Sequence, residues 1–340
     1  MTSVTRIDTV RLGQDGPEVG VQGFGAMGIS EFYGDTDEAA ARDTLDAALE
    51  AGVTLIDTAD IYGSGTNEEF LAPFLAAHRD EVVLATKFAI ERDPAEPARR
   101  AIRNDPAYIR KAVEGSLRRL GVETIDVYYM HRRDPEVPFA ESVGAMAELV
   151  QQGKVRHLGL SEVTGAELRE AHAVHPITAL QSEWSLFSRD VERSAVGAAA
   201  ELGVAFVPYS PLGRGFLTGA FADAAKDLSD SDFRRHQPRF TGENAERNAA
   251  LLDPVRKIAA AHGATPAQIA LAWVQGRAAV HGLTVVPIPG TRKRSRLLEN
   301  AAATRIVLTD AELAELEPIA SRVAGDRYPD MRFTSVSRED

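Results

Sequence analysis

The chain has 340 residues, 44% of them hydrophobic, enough for one barrel-sized domain or for two smaller ones. Its 38 Lys and Arg against 50 Asp and Glu give a formal charge of −12, which excludes binding of nucleic acid or anionic membrane through the overall field. The count of zero cysteines excludes disulfides, thiolate metal sites and a cysteine nucleophile, and suits a reducing compartment.

The N-terminus "MTSVTRIDTVRLG" has no basic region followed by an apolar core, so it does not read as a secretory signal. No apolar run approaches the ~20 residues of a membrane span. The cytoplasm is the expected location. "RIDTVRLGQDGPEVG" reads as an N-terminal hairpin able to close the bottom of a barrel. Short runs rich in Val, Ile and Leu then recur: "VQGFG" (21–25), "VTLID" (53–57), "VVLATK" (82–87), "IDVYYM" (125–130), "VRHLGL" (155–160), "ITALQ" (177–181), "VAFVP" (204–208) and "LTVVPI" (283–288). Each is too short for a helix and reads as a strand buried on both faces, as in a parallel sheet.

Amphipathic stretches lie between them. "DEAAARDTLDAALEAG" ends at Gly52, "DPAYIRKAVEGSLRRLG" has Pro106 in its first turn and stops at Gly121, and "PFAESVGAMAELVQQGK" stops at Gly153. In "FLAPFLAAHR", Pro73 predicts a kink or a delayed start. Eight strands alternating with helices predict an α/β fold, a (β/α)8 TIM barrel with an N-terminal β-hairpin and C-terminal extra helices, as one domain over 1–340. The rival is an open doubly wound sheet, since "GFGAMG" matches G-x-G-x-x-G at Gly23, Gly25 and Gly28. That motif needs a helix to open at its third glycine, and "ISEFYGDTDE" intervenes. The polar, weakly patterned stretch 221–247 reads as a mobile loop within the domain.

In such a barrel the C-terminal strand ends carry the active site. These ends hold Asp57, Lys87, His131, Ser161, Gln181 and Ser210, with Tyr62 in the loop after Asp57. Each alone is an ordinary strand-end polar group. Together, Asp57, Tyr62, Lys87 and His131 make a proton-donating device. A phenol of ordinary pKa about 10 is a reluctant acid. An ammonium at ~4 Å favours its phenolate by up to ~4 kcal/mol at an effective dielectric of 20. Asp57 would keep Lys87 charged and aimed, and His131 would hold a substrate oxygen. The set suits protonation of an oxyanion formed when a carbonyl accepts hydride.

Those four residues, in this order on strands two to four, resemble the tetrad of the aldo-keto reductases, in a bacterial branch related to the potassium-channel β-subunit-like members. The supporting motifs are "LIDTADIYG", "ATK", "IDVYYMHR", "GKVRHLGLSE", "LQSEWSLF", "VPYSPLGRGFLTG" and "PIPGTRKRSRLLEN", from about residue 7 to 320. The resemblance implies NADPH-dependent reduction of an aldehyde or ketone, with NADPH bound across the barrel mouth without a Rossmann domain. It implies that Gly25, Ala26 and Met27 line the cofactor, with Asp57, and that Ser161 and Gln181 hold the nicotinamide carboxamide. Trp184 stands where a tyrosine that stacks on the nicotinamide is usual and would take that role, and Glu162 stands where asparagine is common and would contact the carboxamide. Tyr209, Ser210, Pro211, Leu212, Gly213, Arg214 and Gly215 would wrap the pyrophosphate. Arg292 and Arg296 would bind the adenosine 2′-phosphate, with Glu299 and Asn300 near the adenine. Gly290 stands where many members have lysine, and Arg292 replaces that charge.

The basic run carries its own argument. Cations that open a helix oppose its dipole, and a bound anion would satisfy both the charges and the free N–H groups. A nicotinamide-binding regulatory subunit with little turnover is the alternative on the same fold, although such relatives have asparagine at the position of His131. A metal-dependent hydrolase using Asp57 and His131 lacks a compact ligand cluster. The expected partner is a small carbonyl compound, whose identity would be set by Phe32, Tyr33, Phe88, Trp184 and the segment 233–240. Pyridoxal, sugar-derived and xenobiotic aldehydes all remain open, as does the oligomeric state.

Overall fold

The computed structural model describes residues 5–30, 36–92, 100–220, 228 and 232–339. The chain opens with an antiparallel hairpin of β1 (Thr9–Arg11) and β2 (Glu18–Gly20). Leu12 and Val19 are fully buried in the cluster that fills the barrel interior. Gln14 N donates to Gly203 O at 2.9 Å, just before the strand Ala205–Tyr209. The hairpin therefore plugs the N-terminal end of the barrel.

Strands β3 (Phe24–Gly25), β4 (Leu55–Asp57) and β5 (Val83–Phe88) lie side by side. An antiparallel ribbon of β6 (Ile90–Arg92) and β7 (Arg100–Ile102) follows, which the apolar pattern did not reveal. Then come β8 (Ile125–Met130), β9 (Val155–Ser161), β10 (Ile177–Glu183) and β11 (Ala205–Tyr209). The parallel sheet runs β3-β4-β5-β8-β9-β10-β11. The eighth segment, 283–288, closes it by single contacts. Phe206 N donates to Thr284 O at 2.8 Å and Val286 N to Phe206 O at 2.9 Å, while Gly23 N donates to Pro287 O at 2.9 Å. Pro287 and Pro289 have no N–H, so a longer ladder cannot form there. Closure excludes the open doubly wound alternative.

Alternation along the strands builds two layers. Leu55, Ala85, Val127, Tyr129, Ala179, Ala205 and Val207 point inward. Their neighbours Ile56, Leu84, Tyr128, Leu180 and Phe206 pack outward against helices. Gly159 on β9 is required by this packing, because a Cβ there would lie 2.4 Å from the ring of Tyr129.

Helices cover the outside at the expected places. Asp105 caps Pro106–Leu120 and Gly121 ends it with φ 67°. The helix Thr66–His78 starts promptly and runs through Pro73 on its exposed side, so no delayed start occurs. C-terminal helices Asp310–Leu316 and Ile319–Arg322 follow the barrel. Within 221–247, residues 221–227 and 229–231 lie outside the described residues. The rest forms single-turn helices Phe233–His236 and Pro238–Phe240 and enters the helix Gly242–Ala250.

The hairpin plug makes a testable demand. Leu12→Ala removes a fully buried side chain from the barrel floor, so a loss of about 2–5 kcal/mol is expected. Urea unfolding of the variant would measure it; a loss below ~1 kcal/mol would mean that the plug does not pack as described.

Candidate active site

At the C-terminal end of β4, Asp57 is 3% exposed, and Lys87 on the adjacent β5 is fully buried. Parallel pairing sets β4 beside β5, and Asp57 pairs with Ala85, two residues before Lys87 on the same face. Lys87 Nζ donates to Asp57 Oδ1 at 2.5 Å, to Thr58 O at 2.7 Å and to Tyr62 Oη at 3.4 Å. Three acceptors match the three donors of an ammonium. An ammonium cannot accept, so the Tyr62 oxygen is the acceptor and its own O–H is directed away from Lys87. Gln181 Nε2 donates to the second oxygen, Asp57 Oδ2, at 2.8 Å, so both carboxylate oxygens are engaged.

Burial pushes the lysine below its ordinary range and the aspartate above its own, with their mutual attraction opposing both shifts. A less basic Lys87 is the stronger hydrogen-bond donor to the phenol.

His131 follows β8 and is 7% exposed. Its ring stands edge-on to that of Tyr62, with centroids 5.9 Å apart and planes at 87°. Burial first, and then the charges of Arg132, Lys87 and Arg100, hold its pKa well below the usual histidine value, so the imidazole is neutral. Its Nδ1 is buried without a partner. The Arg132 guanidinium donates to His131 O at 2.6 Å and to Ser161 Oγ at 3.2 Å.

Among the described residues, every non-glycine residue with left-handed φ sits around this mouth. Ser64 (55°) follows Tyr62, Ala89 (105°) follows β5, Glu162 (53°) follows β9, and Ser210 (48°) and Arg214 (59°) follow β11. Such strain persists where surrounding structure imposes it, and it clusters at functional sites.

Asp57, Tyr62 and His131 open on a cavity of about 740 Å³, with Lys87 buried behind them. Of the positions named from sequence, Gly25, Met27, Asp57, Tyr62, His131, Ser161, Gln181, Tyr209, Ser210, Pro211, Leu212, Arg214, Gly215, Gly290, Arg292, Arg296 and Asn300 line it. Gly290 is glycine for a local reason, since a Cβ would lie 2.5 Å from Gly25 O.

Other positions lie elsewhere. Trp184 is fully buried in the core outside the barrel, against Phe206 at 4.9 Å, with Nε1 donating to Glu192 Oε1 at 2.9 Å. It follows β10 on the outward-facing side and cannot stack in the mouth; Tyr209, at the end of β11, is the aromatic wall there. Glu162 is fully buried and its carboxylate accepts from Tyr209, Arg327 and Ser335. It is committed to that network and does not line the cavity. Ala26 and Gly213 are buried and do not line the cavity. Glu299 accepts from Thr265 Oγ1 at 2.7 Å, away from the cavity wall. Phe88 is fully buried and stacks on Tyr128, so it does not shape the cavity. Phe240 likewise packs against Phe216, whereas Phe233 lines the cavity. Phe32 and Tyr33 lie outside the described residues. Tyr328, which sequence reading missed, is a wall residue from the C-terminal segment.

At the far end, Arg292, Lys293 and Arg296 border the cavity beside Asn300. The helix Arg294–Ala302 begins there with no side-chain cap on its first N–H groups. Arg294 turns away and pairs with Asp43 at 3.2 Å and with Glu50. Three cations and an uncapped helix start fit an anionic group, and Ser161 and Gln181 supply amide-binding groups near the tetrad. These residues therefore fit an extended dinucleotide.

A closed parallel barrel with Asp, Tyr, Lys and His at its C-terminal mouth defines a barrel oxidoreductase. The model of the aldo/keto reductase family matches residues 23–321, and the chain belongs to that family, whose members use nicotinamide cofactors. The structure is similar to the glycerol dehydrogenase AKR11B4 from Gluconobacter oxydans, at 30% identity and TM-score 0.82, over 96% of this chain and 98% of that one. It is also similar to the thermostable aldo-keto reductase Tm1743, solved in complex with the inhibitor epalrestat, at 28% identity and TM-score 0.72, over 92% of this chain and all of that one (100%). Among the described residues no helix is long and apolar enough to cross a membrane.

The buried carboxylate gives a pH test. Burial opposes the charge of Glu162, but Arg327 and Arg132 outweigh it and hold its pKa down to about 2, against 4.5 ordinarily. A folded pKa below the unfolded one gives stability that is complete above pH 4.5 and lost as pH falls toward 2. The melting temperature is expected to drop between pH 5 and 3, with a shallower slope in Glu162→Gln. Equal slopes would remove Glu162 from the acid response.

Proposed function

We propose that the protein is an NADPH-dependent reductase of aldehydes or ketones, with Tyr62 as the general acid. The observation that carries this reading is the contact of Tyr62 Oη with the buried ammonium of Lys87 at 3.4 Å. NADPH held in this cavity would supply the hydride that the carbonyl carbon accepts. Tyr62 gives its proton to the carbonyl oxygen. Lys87 stabilises the phenolate left behind by about 5 kcal/mol at an effective dielectric of 20, before desolvation is counted. Asp57 and Gln181 keep Lys87 charged and aimed. Neutral His131 can donate a hydrogen bond to the same oxygen without adding charge. Asp57 is thus a partner of Lys87 more than a cofactor ligand, although it lines the cavity wall.

Ser161 and Gln181 would hold the carboxamide, and Tyr209 would present its ring to the nicotinamide. The loop Ser210–Gly215 would take the pyrophosphate. Arg292, Arg296 and the start of the helix Arg294–Ala302 would take the 2′-phosphate, which favours NADPH over NADH. The cytoplasm, where NADPH is abundant, is the proposed compartment, and a small carbonyl compound the proposed partner.

Tyr62→Phe is expected to lower kcat by at least about 100-fold while NADPH still binds. Absorbance of NADPH over a panel of carbonyl compounds measures the first and calorimetry the second. Aldehyde reduction retained in that variant would refute the assignment, and absence of NADPH consumption by wild type across the panel would favour a regulatory subunit. Arg292→Ala and Arg296→Ala are each expected to raise KM for NADPH about tenfold and to leave KM for NADH within about twofold. A parallel rise for both cofactors would mean that these arginines do not read the 2′-phosphate.

A further inference from the structure

We propose that the C-terminal segment is a working part of the nicotinamide end of the site, in which Arg327, acting through Glu162, is a positioning residue for Tyr209. The proposal rests on the reading of this mouth as a nicotinamide site.

Glu162 leaves β9 in a left-handed conformation (φ 53°), which turns its side chain away from the cavity and beneath the end of β11. There it is fully buried. Arg327 lies 165 residues further along the chain, with a side chain 1% exposed. Its two terminal nitrogens clasp the carboxylate, Nη1 to Oε1 at 3.0 Å and Nη2 to Oε2 at 3.2 Å. The same Oε1 accepts from Tyr209 Oη at 2.8 Å. Oε2 also accepts from Ser335 N at 3.2 Å, and Arg338 Nη2 donates to the backbone oxygen of Glu162 at 2.6 Å. The carboxylate thus gathers donors from the ends of β10 and β11, through Glu183 N and Tyr209 Oη, and from Arg327 and Ser335 of the C-terminal segment, while Arg338 of that segment holds the backbone oxygen.

A buried ion pair is poor evidence of stabilisation, because well-packed apolar residues often serve as well. What apolar residues could not do here is hold the Tyr209 hydroxyl. Burial and the charge of Glu162 both push the phenol's pKa well above 10, so Tyr209 remains a donor to that carboxylate. Its ring lines the cavity between Ser161, Gln181 and Ser210. The residue after Arg327 completes the wall. Tyr328 Oη lies 3.3 Å from Tyr209 Oη, and the Arg214 guanidinium sits 4.3 Å above the Tyr328 ring while pairing with buried Glu183 at 3.1 Å. Anchor and wall are consecutive residues of one segment. The plane of Tyr209 is therefore set before a cofactor arrives, and less side-chain freedom is lost on binding.

The test compares NADPH with 2′,5′-ADP, which carries the adenosine 2′-phosphate and lacks nicotinamide. Calorimetry on the full chain would use wild type, Arg327→Lys and Tyr209→Phe. Arg327→Lys keeps the charge and loses the two-point clasp. Tyr209→Phe keeps the ring and loses the tether, and so carries the test if the arginine variant fails to fold. Each variant is expected to bind NADPH about three- to tenfold more weakly and 2′,5′-ADP within about twofold of wild type. NADPH affinity unchanged in a folded variant, or both probes weakened alike, would overturn the proposal, because the clasp would then be idle or merely structural. Wild type that binds 2′,5′-ADP but gains nothing from the nicotinamide half would instead overturn the reading of the mouth, and this proposal with it.

Discussion

A lysine ammonium withdrawn completely from water is the constraint around which the catalytic end of this barrel is arranged. An uncompensated charge of that kind costs several kcal/mol, so every donor on Lys87 must find an acceptor. Asp57, the Thr58 carbonyl and the Tyr62 hydroxyl provide them. The first two come from β4 and its exit, and the third from the loop beyond it. Two parallel neighbours in register therefore set the position of the acid. Gln181, four strands from Asp57 in the sheet order, reaches across the mouth to its other oxygen. The ion pair is held from opposite sides of the barrel, which only closure makes possible.

The remaining charges around the mouth follow the same rule of compensation, on a wider scale. Glu162 and Glu183 stand at the exits of β9 and β10, both buried. Arginines from far along the chain neutralise them: Arg327 for the first, Arg214 and Arg239 for the second. The glycine-rich loop after β11, the long polar segment and the C-terminal segment are each fastened to strand ends by such a pair. A cavity rim built of loops thereby acquires fixed walls. Left-handed residues at Glu162, Ser210 and Arg214 record the backbone cost of bringing those groups together.

Much of this was legible in sequence. Seven of the eight apolar runs form the strands of the parallel sheet, and the eighth, 283–288, meets its neighbours by single contacts, because residues buried on both faces of a parallel sheet must be continuously hydrophobic. Asp57, Lys87 and His131 mark the ends of those runs, and strand-end position in a barrel is already a statement about the mouth. The ribbon of β6 and β7 was not legible, since its strands are three residues each and half-buried or exposed, with no buried apolar face to read. Trp184 was misplaced because it follows Glu183 at the end of β10, where a change of one residue reverses the face. Glu162 was misplaced for a different reason: its partner lies in a C-terminal segment whose path no local pattern encodes.

Sequence by itself determined the layered barrel, the rim on which the polar residues gather and the order of the tetrad, because these depend on hydrophobic period and on strand ends, which are local properties. Tertiary structure alone decided which ring faces the cavity, which carboxylates are consumed by ion pairs and where the C-terminal segment docks. Those outcomes depend on side chains 100 or more residues apart meeting in a water-excluded space, where each buried charge must be matched by another whose approach is set by the whole fold.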